Sequence, residues 1–236
     1  MKKLTTHEAE SLAGKFRSER GLSQYEPINA KTLLRKLNIT AMYRPLSDNS
    51  FGISCRSKSG KMFMLVNSNS TRGRQHFTIA HELYHLFYDE DLSPHMCGGA
   101  AMGEEKNANM FASALLLPRE GILSMVDNDE IIRHKVKLAT ILRMEQMYQV
   151  SRSNLLIRLK ELGLMTEGQV KEFQTIPVKN SAREYGYDQS LYEPGNEGVV
   201  IGDFGEKARL LYESGKISEG HYIELLNMIT DGRQED

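Results

Sequence analysis

The stretch Thr78-Ile-Ala-His-Glu-Leu-Tyr-His-Leu-Phe87 carries two histidines and a glutamate in the order H-E-x-x-H, at His81, Glu82 and His85. At about 100° per residue in a helix, His85 lies roughly 40° round from His81 and about one turn along, so both imidazoles reach one point while Glu82 projects at the flank. That arrangement suits two zinc ligands and a general base. On the same wheel Ile79, Ala80, Leu83, Leu86 and Phe87 gather on the opposite side. They give the helix an apolar back to pack against a core.

A catalytic zinc takes three protein ligands and keeps its fourth position open. Twenty residues after His85 the run Glu104-Glu105-Lys-Asn-Ala-Asn-Met-Phe-Ala-Ser-Ala-Leu-Leu-Leu-Pro118 favours a helix that stops near Pro118. Glu105 is the expected third ligand. It shares a stripe with Ala108, Asn109 and Ala112, small residues that allow this helix close to the histidine helix. Glu104 shares its face with Asn107, Ala108 and the bulkier Phe111 and is the second choice. Asn109, one turn from Glu105, is placed to hydrogen-bond a ligand and fix its orientation. The bland alternative for the glutamate pair is a surface cluster favoured by the helix dipole.

The segments His76-Phe-Thr-Ile-Ala-His-Glu-Leu-Tyr-His85 and Glu105-Lys-Asn-Ala-Asn-Met-Phe-Ala-Ser-Ala-Leu-Leu-Leu-Pro118 resemble the paired signatures of the ImmA/IrrE family of bacterial metallo-endopeptidases. Those read F-T-x-A-H-E-x-x-H and then E-x-x-A-N-x-F-A-x-x-L-L-x-P, and both halves match in order over a region spanning roughly residues 25 to 165. The resemblance implies a zincin-like core, Zn2+ bound by His81, His85 and Glu105, and Glu82 as catalytic glutamate. It further implies a protein substrate, a helix-turn-helix repressor of a mobile element or stress response. One departure is Tyr84, where family members commonly carry Gly; a ring there is expected to narrow the cleft.

Composition agrees with a soluble cytoplasmic protein. The chain has 236 residues, 40% of them hydrophobic, enough for one substantial core with small appendages. Met1-Lys-Lys-Leu-Thr-Thr-His-Glu-Ala-Glu10 has no apolar stretch behind its lysines and does not read as a secretory signal. No segment is long and apolar enough to span a bilayer, so no membrane partner is expected. Cys55 and Cys97 are too few for a disulfide framework. Cys97 lies near His95 between the two metal segments, where a fourth ligand or inhibitory thiolate is conceivable and an incidental thiol is the commoner case. His7, His76, His134 and His221 have no partner at ligand spacing and are read as non-catalytic.

Coarse patterning predicts helices over Thr6 to Arg20 and Pro27 to Leu37, with Pro27 in the first turn of the second. Strands are predicted over Ile39 to Tyr43, Phe51 to Cys55 and Met62 to Val66. Together these make an α+β fold, helices with a small mixed sheet. In peptidases of the architecture it resembles, an extended substrate adds to a sheet edge, and Met62 to Val66 is the expected edge, with an ordinary core strand as the alternative. The core is expected over residues 1–130, a helix-turn-helix-like segment closing it over 131–165, and a linker with a C-terminal helical extension over 166–236.

Charge is uneven: residues 131–160 hold seven Lys/Arg against one Asp/Glu, and residues 161–236 hold seven against fifteen. Within the basic block, Leu138 to Tyr148 and Val150 to Leu164 read as helix, turn and helix, with Ser151 as N-cap. Arg152, Arg158 and Lys160 are then candidates to meet phosphates. A DNA- or protein-binding regulator with a non-catalytic metal site is therefore the alternative function, DNA being the less favoured partner. Glu82 discriminates, since a structural zinc needs four protein ligands and no adjacent base. Residues 166–200 read as a linker or irregular excursion, followed by a helical hairpin over Asp203 to Ser214 and Ser218 to Met228. The resemblance adds that a bound zinc would polarise the scissile carbonyl while Glu82 handles the water proton.

Overall fold

The computed structural model describes residues 3–47, 49–89, 95–97 and 105–230. Helix α1 (Thr6–Glu19) begins at a capping box in which the Thr5 hydroxyl accepts from Glu8 N and the Glu8 carboxylate accepts from Thr5 N. Helix α2 (Ala30–Lys36) is capped by Asn29, so Pro27 stands outside it rather than in its first turn. The side-chain cap places the start three residues later than proline preference predicts. Strands β1 (Ile39–Arg44), β2 (Gly52–Arg56) and β3 (Met62–Asn67) follow, then α3 (Arg72–Tyr88), β4 (His95–Cys97) and α4 (Glu105–Leu116). The rest is α5 (Arg119–Met125), α6 (Asn128–Ile132), α7 (Leu138–Tyr148), α8 (Arg152–Glu161), α9 (Glu167–Thr175), α10 (Val178–Glu184), a single turn over Ser190–Tyr192, β5 (Val200–Ile201), α11 (Phe204–Glu213) and α12 (Glu219–Thr230).

The sheet is mixed, in the order β4-β2-β3-β1-β5. β1 runs parallel to β3, and the remaining pairs are antiparallel. Ile39, Ala41 and Tyr43 of β1 are buried while Thr40, Met42 and Arg44 are half-buried, the two-residue period of a strand with one face on a core. The expected edge strand, Met62 to Val66, is instead central, paired on both sides by β2 and β1. Sequence alternation does not distinguish an edge from an interior position, because pairing partners come from distant segments. Among the described residues the ends of the sheet are β4 and β5.

One hydrophobic cluster runs from Ala13 on α1 to Ile201 on β5. Its centre is the packing of α4 against α1 and α3, where Phe111 meets Phe16, Tyr84 and Tyr88 with ring centroids 5.7, 5.7 and 5.3 Å apart. Ala108 and Ala112 are fully buried at that contact, and their size lets the helices close, as the wheel predicts. Two buried arginines clamp the carboxyl end of α4. Arg17 Nε donates to Leu115 O at 2.9 Å and Arg158 Nε donates to Leu117 O at 3.1 Å, satisfying carbonyls that have no partner inside the helix. Burial holds the Arg17 guanidinium down at about 10.

The stretch read as a linker is ordered into α9, α10, a turn and β5. Each element is short and buries only one or two apolar side chains, such as Val170 and Phe173 on α9 and Ala182 on α10, too few for a period to stand out. The hairpin of α11 and α12 stacks Tyr212 on Tyr222 at 5.0 Å and leaves Leu210, Ile223 and Met228 exposed. No helix among the described residues is long and apolar enough to cross a membrane.

Candidate metal centre

Every residue of α3 from Thr78 to Leu86 is buried, so the polar side of this helix faces protein and a cleft rather than bulk water. Gly73 lets its first turns approach the α7–α8 turn: an added Cβ would stand 2.9 Å from Ser151 N. Farther along, Gly52 of β2 leaves room for α3, since a Cβ there would meet Thr78 Cγ2 at 2.5 Å and Glu82 Oε1 at 3.2 Å. The sheet thereby sits directly behind the H-E-x-x-H turn.

Three of the predicted site residues converge. His81 Nε2 is 2.7 Å from Glu105 Oε2, His85 Nε2 is 3.1 Å from His81 Nε2, and His85 Nε2 is 3.8 Å from Glu105 Oε2. On the far side of each ring stands an acceptor: Asn109 Oδ1 lies 2.9 Å from His81 Nδ1, and Asp89 Oδ2 lies 2.5 Å from His85 Nδ1. An Nδ1 proton donated to each of these acceptors leaves the corresponding Nε2 turned inward as a lone-pair donor to a metal. Three such atoms, the Glu105 oxygen included, repel at these separations unless a proton or a metal cation lies among them. Ligands about 2.0–2.1 Å from a tetrahedral ion would be about 3.3 Å apart, a value the observed separations bracket. The donor set therefore fits a metal ion. Burial works against protonation of His85, but hydrogen bonds to Glu105 and Asp89 and the charge of Glu82 outweigh it and hold this imidazole above its ordinary range.

Glu82 is fully buried beside the histidines, and Ser54 Oγ donates to its Oε2 at 2.5 Å. A second triad shares two of the first one's members: the ligand atoms of His81, Cys97 and Glu105 all lie within 4.8 Å of one another. Burial pushes the Cys97 thiol up, Glu82 and Glu105 add to this, and Arg74 opposes it. Glu104 lies outside the described residues.

A cleft of about 530 Å³ opens from His81 and Glu105, with Phe51, Phe77, Met110 and Ile157 along it. Arg74 stacks over the Phe51 ring at 4.1 Å. The amino end of α8 forms one wall through Ser151, Ser153 and Asn154. Tyr84 does not narrow this space. Its ring is buried in the aromatic cluster with Tyr88 and Phe111, because position 84 projects towards the core side of α3. The phosphate-facing role expected for Arg152 and Arg158 also fails, since both are buried, Arg152 on Glu145 and Arg158 on Glu10 and Leu117 O. Lys160 pairs with Glu167 at 2.9 Å.

Sequence reasoning missed Asp89 and Ser54. Asp89 carried a signal, a carboxylate one helical turn beyond His85. Ser54 carried none, because its role depends on how β2 packs on α3.

Residues 34–160 match the IrrE N-terminal-like domain, Peptidase_M78. The chain belongs to this family. The candidate metal centre falls wholly within the matched IrrE-like region, and the family is one of peptidases. A search of the curated proteins found no match. Among solved structures, a transcriptional regulator of Mycobacterium tuberculosis is similar at 20% identity with a TM-score of 0.42, over 64% of this chain and 46% of that one. The IrrE-like chain thus spans less than half the length of that regulator.

Proposed function

We propose that this IrrE-like protein is a cytoplasmic zinc endopeptidase of narrow specificity that cuts a regulatory protein, a helix-turn-helix repressor of a mobile element or stress response. The observation that carries the reading is the convergence of His81 Nε2, His85 Nε2 and Glu105 Oε2 with a buried glutamate alongside. In this reading His81, His85 and Glu105 hold the ion, Glu82 is the general base, and Asn109 and Asp89 orient the two imidazoles. The assignment of a core over 1–130, a closing helical segment over 131–165 and an extension over 166–236 belongs to the same proposal.

When bound, zinc supplies Lewis acidity towards the scissile carbonyl and makes water easier to deprotonate. Glu82, held through Oε2 by Ser54, takes the water proton on Oε1 and returns it to the departing amine. The apolar walls around Phe51, Phe77 and Met110 exclude water from that exchange. Among the described residues the short strand β4 ends the sheet beside the cleft, and in this reading an extended peptide adds there. The buried arginines of α8 leave a DNA-binding reading without its main cations.

The test is Glu82→Gln, assayed for cleavage of a helix-turn-helix repressor that the wild-type protein cuts. Metal content should stay at the wild-type level while cleavage falls by a factor on the order of 10² to 10⁴; cleavage at the wild-type rate sinks the enzymatic reading.

A further inference from the structure

Cys97 stands opposite Gly52 across the β2–β4 ladder, and Phe51 N donates to Cys97 O at 2.8 Å to fix that register. Directly opposed residues of antiparallel strands share a sheet face. The face in question looks at α3, because a side chain placed on Gly52 would point at Glu82 Oε1, 3.2 Å away. Gly52 has no side chain to offer there, so this face presents Cys97 to the centre, beside the Ser54 that holds Glu82. The sulfur lies within 4.8 Å of the ligand atoms of His81 and Glu105, against separations of about 3.5 Å in a set that includes a zinc-bound sulfur. A thiolate is also the softest donor in the cleft and the one zinc accepts most readily beside imidazole.

We propose that Cys97 is a fourth, displaceable protein ligand of this metal ion, closing the site at rest and giving up its place to water when a substrate engages. The proposal rests on the metal reading given above. Binding exchanges the S–H bond for a sulfur–metal bond and releases one proton to solvent; displacement by water takes that proton back, and nothing is oxidised or reduced. Displacement is built into the position of the strand. β4 has three residues and, among the described residues, is paired only with β2, so a peptide adding to its outer edge acts on the backbone that carries the thiol.

The experiment is cobalt substitution of the whole chain after removal of its metal. The wild-type protein should bind one Co2+ and show an intense sulfur-to-cobalt charge-transfer band in the near ultraviolet. Cys97→Ser and Cys97→Ala should each lose the band yet still bind Co2+, at least about tenfold more weakly. A wild-type spectrum with bound cobalt and no such band overturns the proposal and leaves the metal reading standing, and so does a band that survives in both variants. A wild-type protein that binds neither cobalt nor zinc overturns both. Where a Cys97 variant fails to fold, absence of the band in the wild type still overturns the proposal, and its retention in Cys55→Ser, which leaves Cys97 as the remaining thiol, upholds it.

Discussion

Two clusters of buried ionisable groups, one on α7 and α8 and one between α3 and α4, are built in opposite senses. On α7 and α8, Glu145 is fully buried and takes Arg152 Nε at 2.6 Å, Arg152 Nη2 at 3.2 Å and Tyr192 Oη at 2.6 Å, while the same Arg152 Nη2 donates to Ser181 Oγ at 3.0 Å. Every contact there joins a donor to an acceptor. Burial and the Glu145 charge push the Tyr192 hydroxyl up, which keeps it a donor. Between α3 and α4, by contrast, three groups each able to bind a cation, His81, His85 and Glu105, are turned towards a common point. A buried charge whose partners are complementary serves the fold; a set of like donors held together by the surrounding helices serves a ligand.

The largest expected effect tests the first half of that contrast. Arg152→Ala leaves the Glu145 carboxylate buried without its cation, which costs about 3–5 kcal/mol. Urea unfolding should register the loss while the folded fraction keeps its full metal content. A variant of unchanged stability that had lost affinity for DNA would restore the phosphate reading of α8 and break the comparison.

The second expected effect is on the metal centre. Glu105→Ala should lower metal affinity by more than about 100-fold, beyond the loss typical of an orienting group, with little cost to the metal-free fold once pH exceeds the raised His85 value. The pH dependence has a definite sign. His85 holds its proton above its ordinary range, in part through Glu105. The stabilisation from that pair is therefore fully present below the unfolded pKa of about 6.5 and is lost as pH rises through the raised value. Metal-free Glu105→Ala should thus be less stable than the parent in mild acid and approach it in alkali. A stability deficit that grows with rising pH would contradict the assignment.

Much of this was legible in the chain. H-E-x-x-H brings His81 and His85 to one point by helix geometry alone, and the small-residue stripe of Ala108 and Ala112 singles out the face of α4 that carries Glu105 to them. The three early strands were placed within a residue or two because β-branched and aromatic runs are bounded there by turn formers. What stayed hidden depends on contacts between distant segments. The central place of β3 and Ser54 on Glu82 follow from strand order and register, as does the placement of Cys97, which the sequence offers only as the less common alternative to an incidental thiol. Arg152 and Arg158 misled for the same reason, since a basic residue on a short helix reads as solvent-facing until its buried partners, Glu145 and Glu10, are known.

The smallest effect separates orientation from packing. Asn109 is exposed to the cleft yet its Oδ1 holds His81 Nδ1 at 2.9 Å. Truncating an exposed side chain changes stability by no more than about 0.5 kcal/mol. Loss of its acceptor, however, frees the His81 ring to rotate and to place its proton on Nε2, where the ion must bind. Asn109→Ala should therefore weaken metal binding about 10- to 100-fold, read by competition with a chelator, at nearly constant unfolding free energy. Asn109→Asp keeps an acceptor at that point and should recover most of the affinity. Equal affinities in the parent and both variants would mean that α4 contributes its glutamate and nothing else, and that the His81 tautomer is set by the ion itself.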